Sequence, residues 1–279
     1  MTGRRSAYFT LRDREIHVSL WGDESRPALV MWHGLARTGR DFDTIAAALK
    51  DEYFILAPDT LGRGLSQWAV DPGAEYRVDV YGEMAIALLD QLHIDCCRWI
   101  GTSMGGAIGM YLAGGPLRDR ITHLVINDIG PELPAPAIER IVTYVGNPPR
   151  FATMAEYEAW LRQVYAPFGF QTDAEWRNMA ESSARRTDTG EITVHYDPRL
   201  VVPFQADDQL GNQWASYDAI VARTLLVRGA ESDLLSDALA EAMTRRGPHA
   251  QRLDVPNVGH APSLNVPDQI DAIERMLAS

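Results

Sequence analysis

The chain has 279 residues, of which 46% are hydrophobic and 23% are charged, a composition that excludes collagen-like, disordered and disulfide-scaffold proteins. Its formal net charge is −12, from 26 basic and 38 acidic residues. The basic residues are scattered, which disfavours nucleic acid and anionic lipid as partners and favours a small neutral or apolar molecule. The length suffices for one large α/β domain with a substantial core.

The two cysteines, Cys96 and Cys97, are adjacent in the sequence and lack the spacing of a zinc site. A disulfide between neighbours is strained, so we predict two free thiols in a reducing compartment. Residues 1–11 carry arginines but no apolar signal region, and nowhere does the chain contain a run of about 18 apolar residues. The sequence therefore predicts a cytoplasmic protein without a membrane partner, and it indicates no particular oligomeric state.

The first half of the chain alternates between strand and helix patterns. Near-alternating apolar residues predict two strands around a turn within residues 8–21. Short apolar runs predict further strands at 28–32, 53–57, 98–100 and 121–126, and apolar residues at helical spacing predict helices at 42–49, 80–92 and 105–112. Apolar strands that alternate with amphipathic helices indicate a parallel sheet covered on both faces.

The alternation is interrupted after residue 130. Up to about residue 219 the strand signal vanishes, and helical patterns appear at 137–145, 154–165 and 173–186. The alternation then resumes with predicted strands at 224–228 and 250–255 and predicted helices at 237–245 and 267–277. We therefore predict one core in two parts, residues 1–130 and 220–279, with a helical insertion at residues 131–219.

Residues 101–105 read Gly-Thr-Ser-Met-Gly and match the pattern G-x-S-x-G. The match lies between a predicted apolar strand and a predicted helix, where a sharp turn would expose the hydroxyl of Ser103 above the helix N-terminus. The alternative is a glycine-rich turn whose serine only caps the helix. The structural context favours Ser103 as a nucleophile.

A serine nucleophile needs a base and an orienting carboxylate on other loops at the same sheet edge. Among the seven histidines, His260 fits best, because it follows the last predicted strand and precedes the final helix. Two carboxylates follow strands at this edge, Asp233 and Asp128. We predict Asp233 as the acid, since the order serine, aspartate, histidine then runs along the chain. Asp128 is then expected to order the start of the insertion, and Glu231 is a weaker third choice.

Acyl transfer also needs hydrogen-bond donors for the oxyanion of its transition state. The N–H of Met104, directly after Ser103 at the start of a helix, is the first predicted donor. The second is the N–H of Leu35, because Gly34 lets the loop after the strand at 28–32 come close without a Cβ atom. His33 is expected to order this loop rather than to act as a base.

These segments, together with the sequence Asp-Thr-Leu-Gly-Arg-Gly-Leu-Ser at residues 59–66, resemble the α/β-hydrolase family over nearly the whole chain. Thr60 and Leu61 replace the residue types more frequent in that family, at positions without a catalytic role. The resemblance implies an eight-stranded, mostly parallel sheet with helices on both faces and a helical lid inserted after strand six. A serine at position 103, rather than an aspartate, disfavours the epoxide-hydrolase and haloalkane-dehalogenase branches.

Within this family the serine motif resembles those of carboxylesterases and enol-lactone hydrolases. The expected function is a cofactor-free and metal-free serine hydrolase of a small carboxylic ester or lactone. The alternatives are a C–C bond hydrolase of ring-cleavage products, disfavoured by the loop His-Gly-Leu-Ala-Arg at residues 33–37, and a ligand-binding protein without catalysis. The insertion is rich in aromatic residues, and we expect some of them to give the site an apolar wall that suits neutral substrates.

Overall fold

The structure, a computed structural model, describes residues 3–205 and 212–279. Its strands have the bounds β1 Arg5–Leu11, β2 Arg14–Trp21, β3 Ala28–Trp32, β4 Phe54–Pro58, β5 Cys97–Thr102, β6 Ile121–Asn127, β7 Arg150–Phe151, β8 Ala184–Arg186, β9 Ile192–Val194, β10 Arg223–Gly229 and β11 Gln251–Val255. Eight of them form one sheet in the order β1-β2-β4-β3-β5-β6-β10-β11. The strands β1, β2 and β4 pair antiparallel, and all other neighbours in this sheet pair parallel. The predicted eight-stranded, mostly parallel sheet is confirmed.

The α-helices have the bounds α1 Asp43–Leu49, α2 Pro72–Glu75, α3 Val78–Gln91, α4 Met104–Ala113, α5 Ala135–Gly146, α6 Met154–Val164, α7 Asp173–Ser183, α8 Val202–Gln205, α9 Trp214–Asp218, α10 Asp237–Thr244 and α11 Pro267–Leu277. Within the described ranges, none of these helices has the length and apolar character needed to cross a membrane. Cys96 is exposed and Cys97 is buried, and both are free thiols as predicted.

Two apolar cores flank the large sheet, because successive residues of a strand point to opposite faces. In β3, Val30 and Trp32 belong to one buried cluster, whereas Leu29 and Met31 belong to the other. The sheet is therefore buried on both faces, which explains why its central strands are continuous apolar runs. The helices that follow these strands supply the covering side chains.

The segment between β6 and β10 differs from its prediction in one respect. We expected only helices, but β7, β9 and β8 form a second, three-stranded antiparallel sheet in that order. The helix predicted to continue to residue 186 ends at Ser183, and the next three residues form β8. Strands of two or three residues are too short to show periodicity, so only pairing between distant segments defines them. The domain division at residues 131 and 219 stays a prediction.

The carboxyl ends of the parallel strands carry the polar residues singled out above. Ser103 follows β5, Asp128 follows β6, Asp233 lies beyond β10 and His260 lies beyond β11. Because β5, β6, β10 and β11 are consecutive neighbours in the sheet, their following loops meet at one edge. This edge is where ligands bind in α/β sheets of this kind.

Candidate active site

Ser103 stands alone on the turn between β5 and α4. Its backbone has φ 53° and ψ −115°, a region that residues other than glycine rarely occupy. The turn is held by a hydrogen bond of 2.8 Å from the Ser103 N–H to the Asn127 carbonyl. A strained serine between a strand and a helix is the arrangement that the sequence pattern predicts.

The glycines on either side of Ser103 allow this turn. A Cβ atom on Gly101 would collide with the carbonyl group of Gly105, and a Cβ atom on Gly105 would collide with the carbonyl of Trp32. The strand and the helix therefore approach more closely than any larger residues would permit. This close packing directs the Ser103 side chain away from the core and toward the sheet edge.

His260 bridges Ser103 and a buried carboxylate. Its Nε2 lies 2.9 Å from the Oγ of Ser103, and its Nδ1 lies 2.7 Å from Oδ2 of Asp128. A carboxylate only accepts hydrogen bonds, so the proton of the neutral imidazole sits on Nδ1 and Nε2 is free to accept from the serine hydroxyl. These contacts form a continuous chain of hydrogen bonds from the Ser103 hydroxyl to the Asp128 carboxylate.

The carboxylate that the structure brings to Nδ1 of His260 is Asp128 rather than the predicted Asp233. Asp128 is fully buried and has φ 60°, a turn that ends β6 and directs its side chain toward β10 and His260. Its Oδ1 accepts from the Gly229 N–H at 2.9 Å, and its Oδ2 also accepts from the Ser232 hydroxyl at 2.7 Å. These donors hold the carboxylate in one orientation.

Asp233 lies on an exposed part of the loop after β10, and it lines the same cavity as His260. Instead of the acid, the end of β10 supplies the Gly229 N–H and the loop after it supplies the Ser232 hydroxyl, and both donate to Asp128. Sequence reasoning missed both of these supporting groups. The sequence carried no signal that separates Asp128 from Asp233, because both are aspartates after strands at this edge and the positive φ of Asp128 is visible only in the structure.

The two predicted oxyanion donors belong to segments that lie beside Ser103. Leu35 and Met104 both line a cavity with Ser103, and a Cβ atom on Gly34 would lie 3.7 Å from the Cβ of Ser103. Met104 is the first residue of α4, and the first N–H groups of a helix have no acceptor within the helix. The arrangement can therefore present two N–H groups to the oxygen of a carbonyl group bound beside Ser103.

The loop that carries Leu35 is ordered by His33, a fully buried histidine. Its Nε2 accepts from the Thr60 N–H at 2.9 Å, so its proton must be on Nδ1, which donates to the Gly34 carbonyl at 2.7 Å. This carbonyl shares a peptide unit with the Leu35 N–H, and a hydrogen bond to the oxygen strengthens the N–H as a donor. Burial lowers the pKa of His33 to about 4. His33 is thus a neutral residue that orders the loop, as expected.

Burial of neutral His33 makes the stability of the fold dependent on pH. Its pKa is about 4 in the folded chain and about 6.5 in an unfolded chain, so the unfolded state binds more protons between these values. The stabilisation is complete above about pH 6.5 and is lost as the pH falls toward 4. Between pH 7 and 5 the wild type should lose about 2 kcal/mol of unfolding free energy through His33. Replacement of His33 by glutamine, which also accepts and donates hydrogen bonds but does not titrate, should remove this loss.

Urea unfolding of both proteins at pH 7 and pH 5 measures this difference. Replacement of the exposed residue His93 by glutamine is the control, and it is expected to follow the wild-type pH dependence. Identical pH dependence of the His33→Gln variant and the wild type would contradict the assignment of His33 as a buried neutral group.

Two cavities meet at Ser103. The large cavity is open to solvent and includes in its wall Arg37, Asp41, Tyr144, Val164, Tyr165, Phe168, Glu231, Asp233 and His260. The apolar cavity is smaller, and its wall is mostly apolar, with Tyr76, Val78, Tyr81, Met104, Ala107, Ile129, Leu133 and Phe204 beside the charged residues Arg77 and Glu132. Ser103 and Leu35 line both. Three aromatic side chains from residues 131–219, Tyr144, Tyr165 and Phe168, line the large cavity. That they suit the site to neutral substrates stays a prediction.

Within residues 3–205 and 212–279, no group of three or more histidine, cysteine, aspartate or glutamate side chains is arranged to hold a metal ion. The charged groups of the large cavity are partly paired with one another. Arg37 donates two hydrogen bonds to Asp41, at 2.8 and 2.6 Å. The site therefore brings a serine hydroxyl and an imidazole to the wall of a cavity with more acidic than basic side chains.

Comparison with known proteins places the chain in a family. A model of the alpha/beta hydrolase family matches residues 29–273. The chain is 43% identical over 260 residues to a 3-hydroxybutyrate-oligomer hydrolase from Cupriavidus necator, an alignment that covers 90% of this chain and 88% of that protein. It is 36% identical over 104 residues to 3-oxoadipate enol-lactonase 2 from Acinetobacter baylyi, covering 37% of this chain and 38% of that one.

A solved structure agrees with these sequence matches. The crystal structure of an alpha/beta hydrolase from Novosphingobium aromaticivorans superposes with a TM-score of 0.89 at 33% identity, covering 100% of this chain and 99% of that one. The chain therefore belongs to the alpha/beta hydrolase family. The prediction that the chain is an enzyme, a hydrolase that acts on ester bonds, is confirmed by its relatives.

Proposed function

We propose that this chain is a serine hydrolase that cleaves a small carboxylic ester or lactone through an acyl-enzyme on Ser103. The observation that carries the proposal is the chain of hydrogen bonds from Ser103 through His260 to Asp128, with distances of 2.9 and 2.7 Å. An imidazole oriented by a buried carboxylate is the base that a serine hydroxyl requires. In this proposal Asp128 takes the role that the sequence assigned to Asp233.

The proposed reaction has two halves. Nε2 of His260 removes the hydroxyl proton as the oxygen of Ser103 attacks the ester carbonyl, and Asp128 stabilises the imidazolium that forms. The N–H groups of Leu35 and Met104 donate to the resulting oxyanion. Collapse of the tetrahedral intermediate releases the alcohol, which takes its proton from His260, and water then hydrolyses the acyl-enzyme by the same sequence of steps.

The positions of the two cavities support an assignment of each half of the substrate to one cavity. His260 must deliver a proton to the leaving oxygen, and it lines the large cavity, so the alcohol part belongs there. The acyl chain then extends into the apolar cavity, which Met104 lines beside the nucleophile. Part of the insertion lies over the large cavity through Tyr144, Tyr165 and Phe168, and we propose that residues 131–219 act as its lid.

The first substrate class to test is the ester of a short hydroxy acid, because a relative with 43% identity is named a 3-hydroxybutyrate-oligomer hydrolase. The wall of the cavity proposed for the alcohol part contains three acidic side chains, Asp41, Glu231 and Asp233, and one arginine, Arg37. This balance of charge disfavours a free carboxylate on the leaving group. We therefore propose that the methyl ester of a hydroxybutyrate dimer is cleaved in preference to the free acid.

The proposed function is tested by the hydrolysis of 4-nitrophenyl butyrate, with mass spectrometry of the protein quenched during turnover. The expected result is release of 4-nitrophenol and a butyryl group on the peptide that contains Ser103. A ligand-binding protein would show no turnover. A protein that hydrolyses the ester without any modification of Ser103 would contradict the acyl-enzyme.

A matched pair of substitutions tests the two binding cavities. Val78 lines the apolar cavity and Val164 lines the large cavity, so the same change to tryptophan fills either one. We expect Val78→Trp to lower kcat/KM for 4-nitrophenyl octanoate at least about tenfold more than for the acetate, because the loss of the apolar contact of even one methylene group has about this effect. Val164→Trp should instead discriminate against bulky alcohols such as naphthyl acetate.

The readout is the ratio of kcat/KM values within each variant, which cancels any general loss of activity. The opposite pattern, with Val78→Trp selecting against bulky alcohols and Val164→Trp against long acyl chains, would reverse the two halves of the substrate. If each variant affected the series of acyl chains and the series of alcohols equally, the assignment of separate cavities to the acyl and alcohol parts would be contradicted.

A further inference from the structure

Arg63 lies in the loop after β4 with its guanidinium directed into the protein. It stands between Gly62, with φ 85°, and Gly64, with φ 51°. A Cβ atom on Gly64 would collide with the carboxylate of Asp59, and this carboxylate accepts from the Gly39 N–H at 2.8 Å. The loop is therefore packed tightly against the core, and Arg63 is fully buried.

The guanidinium of Arg63 contacts both residues that we propose as oxyanion donors. Its Nε donates to the Leu35 carbonyl at 2.8 Å, and its Nη2 lies 3.3 Å from the sulfur of Met104. Its Nη1 donates to the Leu61 carbonyl and to the Tyr81 hydroxyl, each at 2.6 Å. One rigid planar group thus connects two loops that are distant in the sequence.

The charge of Arg63 is not neutralised by an adjacent carboxylate. Among the residues that the structure describes, no aspartate or glutamate lies within ion-pair distance of its guanidinium. The ring of Tyr76 lies 5.6 Å away and that of Tyr81 lies 5.1 Å away. A buried charge without an anionic partner is costly for the fold, and such a charge is useful where negative charge develops during a reaction.

We propose that Arg63 is a positioning residue for the oxyanion hole, an inference that rests on the proposed serine hydrolysis. Its Nε hydrogen bond holds the Leu35 segment, and its Nη2 contact holds the side chain of Met104. These two contacts keep the N–H groups of Leu35 and Met104 at a fixed distance from each other before the substrate binds. The positive charge behind them further favours the tetrahedral oxyanion over the neutral ester, because electrostatic interactions are strong in a buried site.

The test compares Arg63→Met, which removes charge and donors, with Arg63→Lys, which keeps only the charge. For 4-nitrophenyl butyrate we expect Arg63→Met to lower kcat by about 10- to 100-fold with less than a threefold change in KM, somewhat below the effect of losing a direct oxyanion donor. Arg63→Lys should lie between Arg63→Met and the wild type. Butylboronic acid, which forms a tetrahedral adduct with a serine, should lose affinity by the same factor as kcat/KM. The uncleaved amide N-butylbutyramide should keep its affinity within about threefold.

Arg98→Met is the matched control, because Arg98 also donates to a backbone carbonyl and lies over a tyrosine ring, but at the start of β5. It is expected to leave the ratio of boronate to amide affinity unchanged. Equal losses for boronate and amide in Arg63→Met would overturn the proposal, as would unchanged kinetics. If Arg63→Met does not fold, Arg63→Lys provides the same comparison, and failure of both to fold would assign Arg63 to the stability of the loop and overturn its role in positioning.

The wild-type measurements separate this inference from the proposed function. Formation of the boronate adduct on Ser103, with turnover of the ester, supports the serine mechanism whatever the Arg63 variants show. Absence of the adduct and of turnover in the wild type would instead contradict the proposed function itself.

Discussion

Replacement of Asp128 by asparagine is expected to lower kcat by about 10³- to 10⁴-fold, the range observed when the acid of a serine triad becomes an amide. The reason lies in the contacts of its two oxygens. Oδ1 accepts from the Gly229 N–H, which can only donate, so the amide oxygen must take that place. The amide nitrogen then faces Nδ1 of His260 and donates to it. This forces the imidazole proton onto Nε2, and a protonated Nε2 can no longer accept the hydrogen bond from the Ser103 hydroxyl.

Asp233→Asn is the matched control for this experiment, since it makes the same chemical change on the wall of the same cavity. We expect it to change kcat by less than about tenfold, because it leaves the partner of His260 in place. Steady-state kinetics of the two variants on one ester, with thermal unfolding to verify the fold, decide between the carboxylates. A larger loss in Asp233→Asn than in Asp128→Asn would restore the choice made from the sequence.

Replacement of Ser103 by alanine is expected to lower kcat by about 10⁴- to 10⁶-fold, because the nucleophile of an acyl-enzyme cannot be replaced by the rest of the site. The fold should persist, since the hydroxyl is directed toward the cavities rather than the core. A preparation of Ser103→Ala that retains more than about 1% of the wild-type activity would contradict the assignment of Ser103 as the nucleophile. Ser25→Ala, at an exposed serine, serves as the control for purification and is expected to keep wild-type activity.

The same position also allows the backbone strain to be measured. Ser103 has φ 53°, which glycine adopts readily and alanine does not. We therefore expect Ser103→Gly to be as inactive as Ser103→Ala but more stable to urea by about 1 kcal/mol. Equal stability of the two variants would show that the turn is not strained.

The sequence alone determined the core of this protein, because its signals there are local and periodic. The apolar run at 28–32 coincides with β3, and those at 121–126 and 224–228 lie within β6 and β10, since strands buried on both faces admit few other side chains. The position of Ser103 was also predictable, because a sharp turn from strand to helix requires small residues at fixed spacing around it. His260 followed from its place beyond the last strand of the sheet.

Only the tertiary structure decided which groups surround these residues. Asp128 after β6 contacts His260, and Ser232 after β10 donates to Asp128, because β6, β10 and β11 are consecutive in the sheet. The choice of Asp128 over Asp233 depends on the positive φ of Asp128 and on the hydrogen bonds that Gly229 and Ser232 donate to it. None of these features produces a periodic pattern in the sequence. The second sheet in the insertion and the inward direction of Arg63 likewise depend on contacts between segments far apart in the chain. Such contacts are made by packing, and residue spacing along the chain does not specify them.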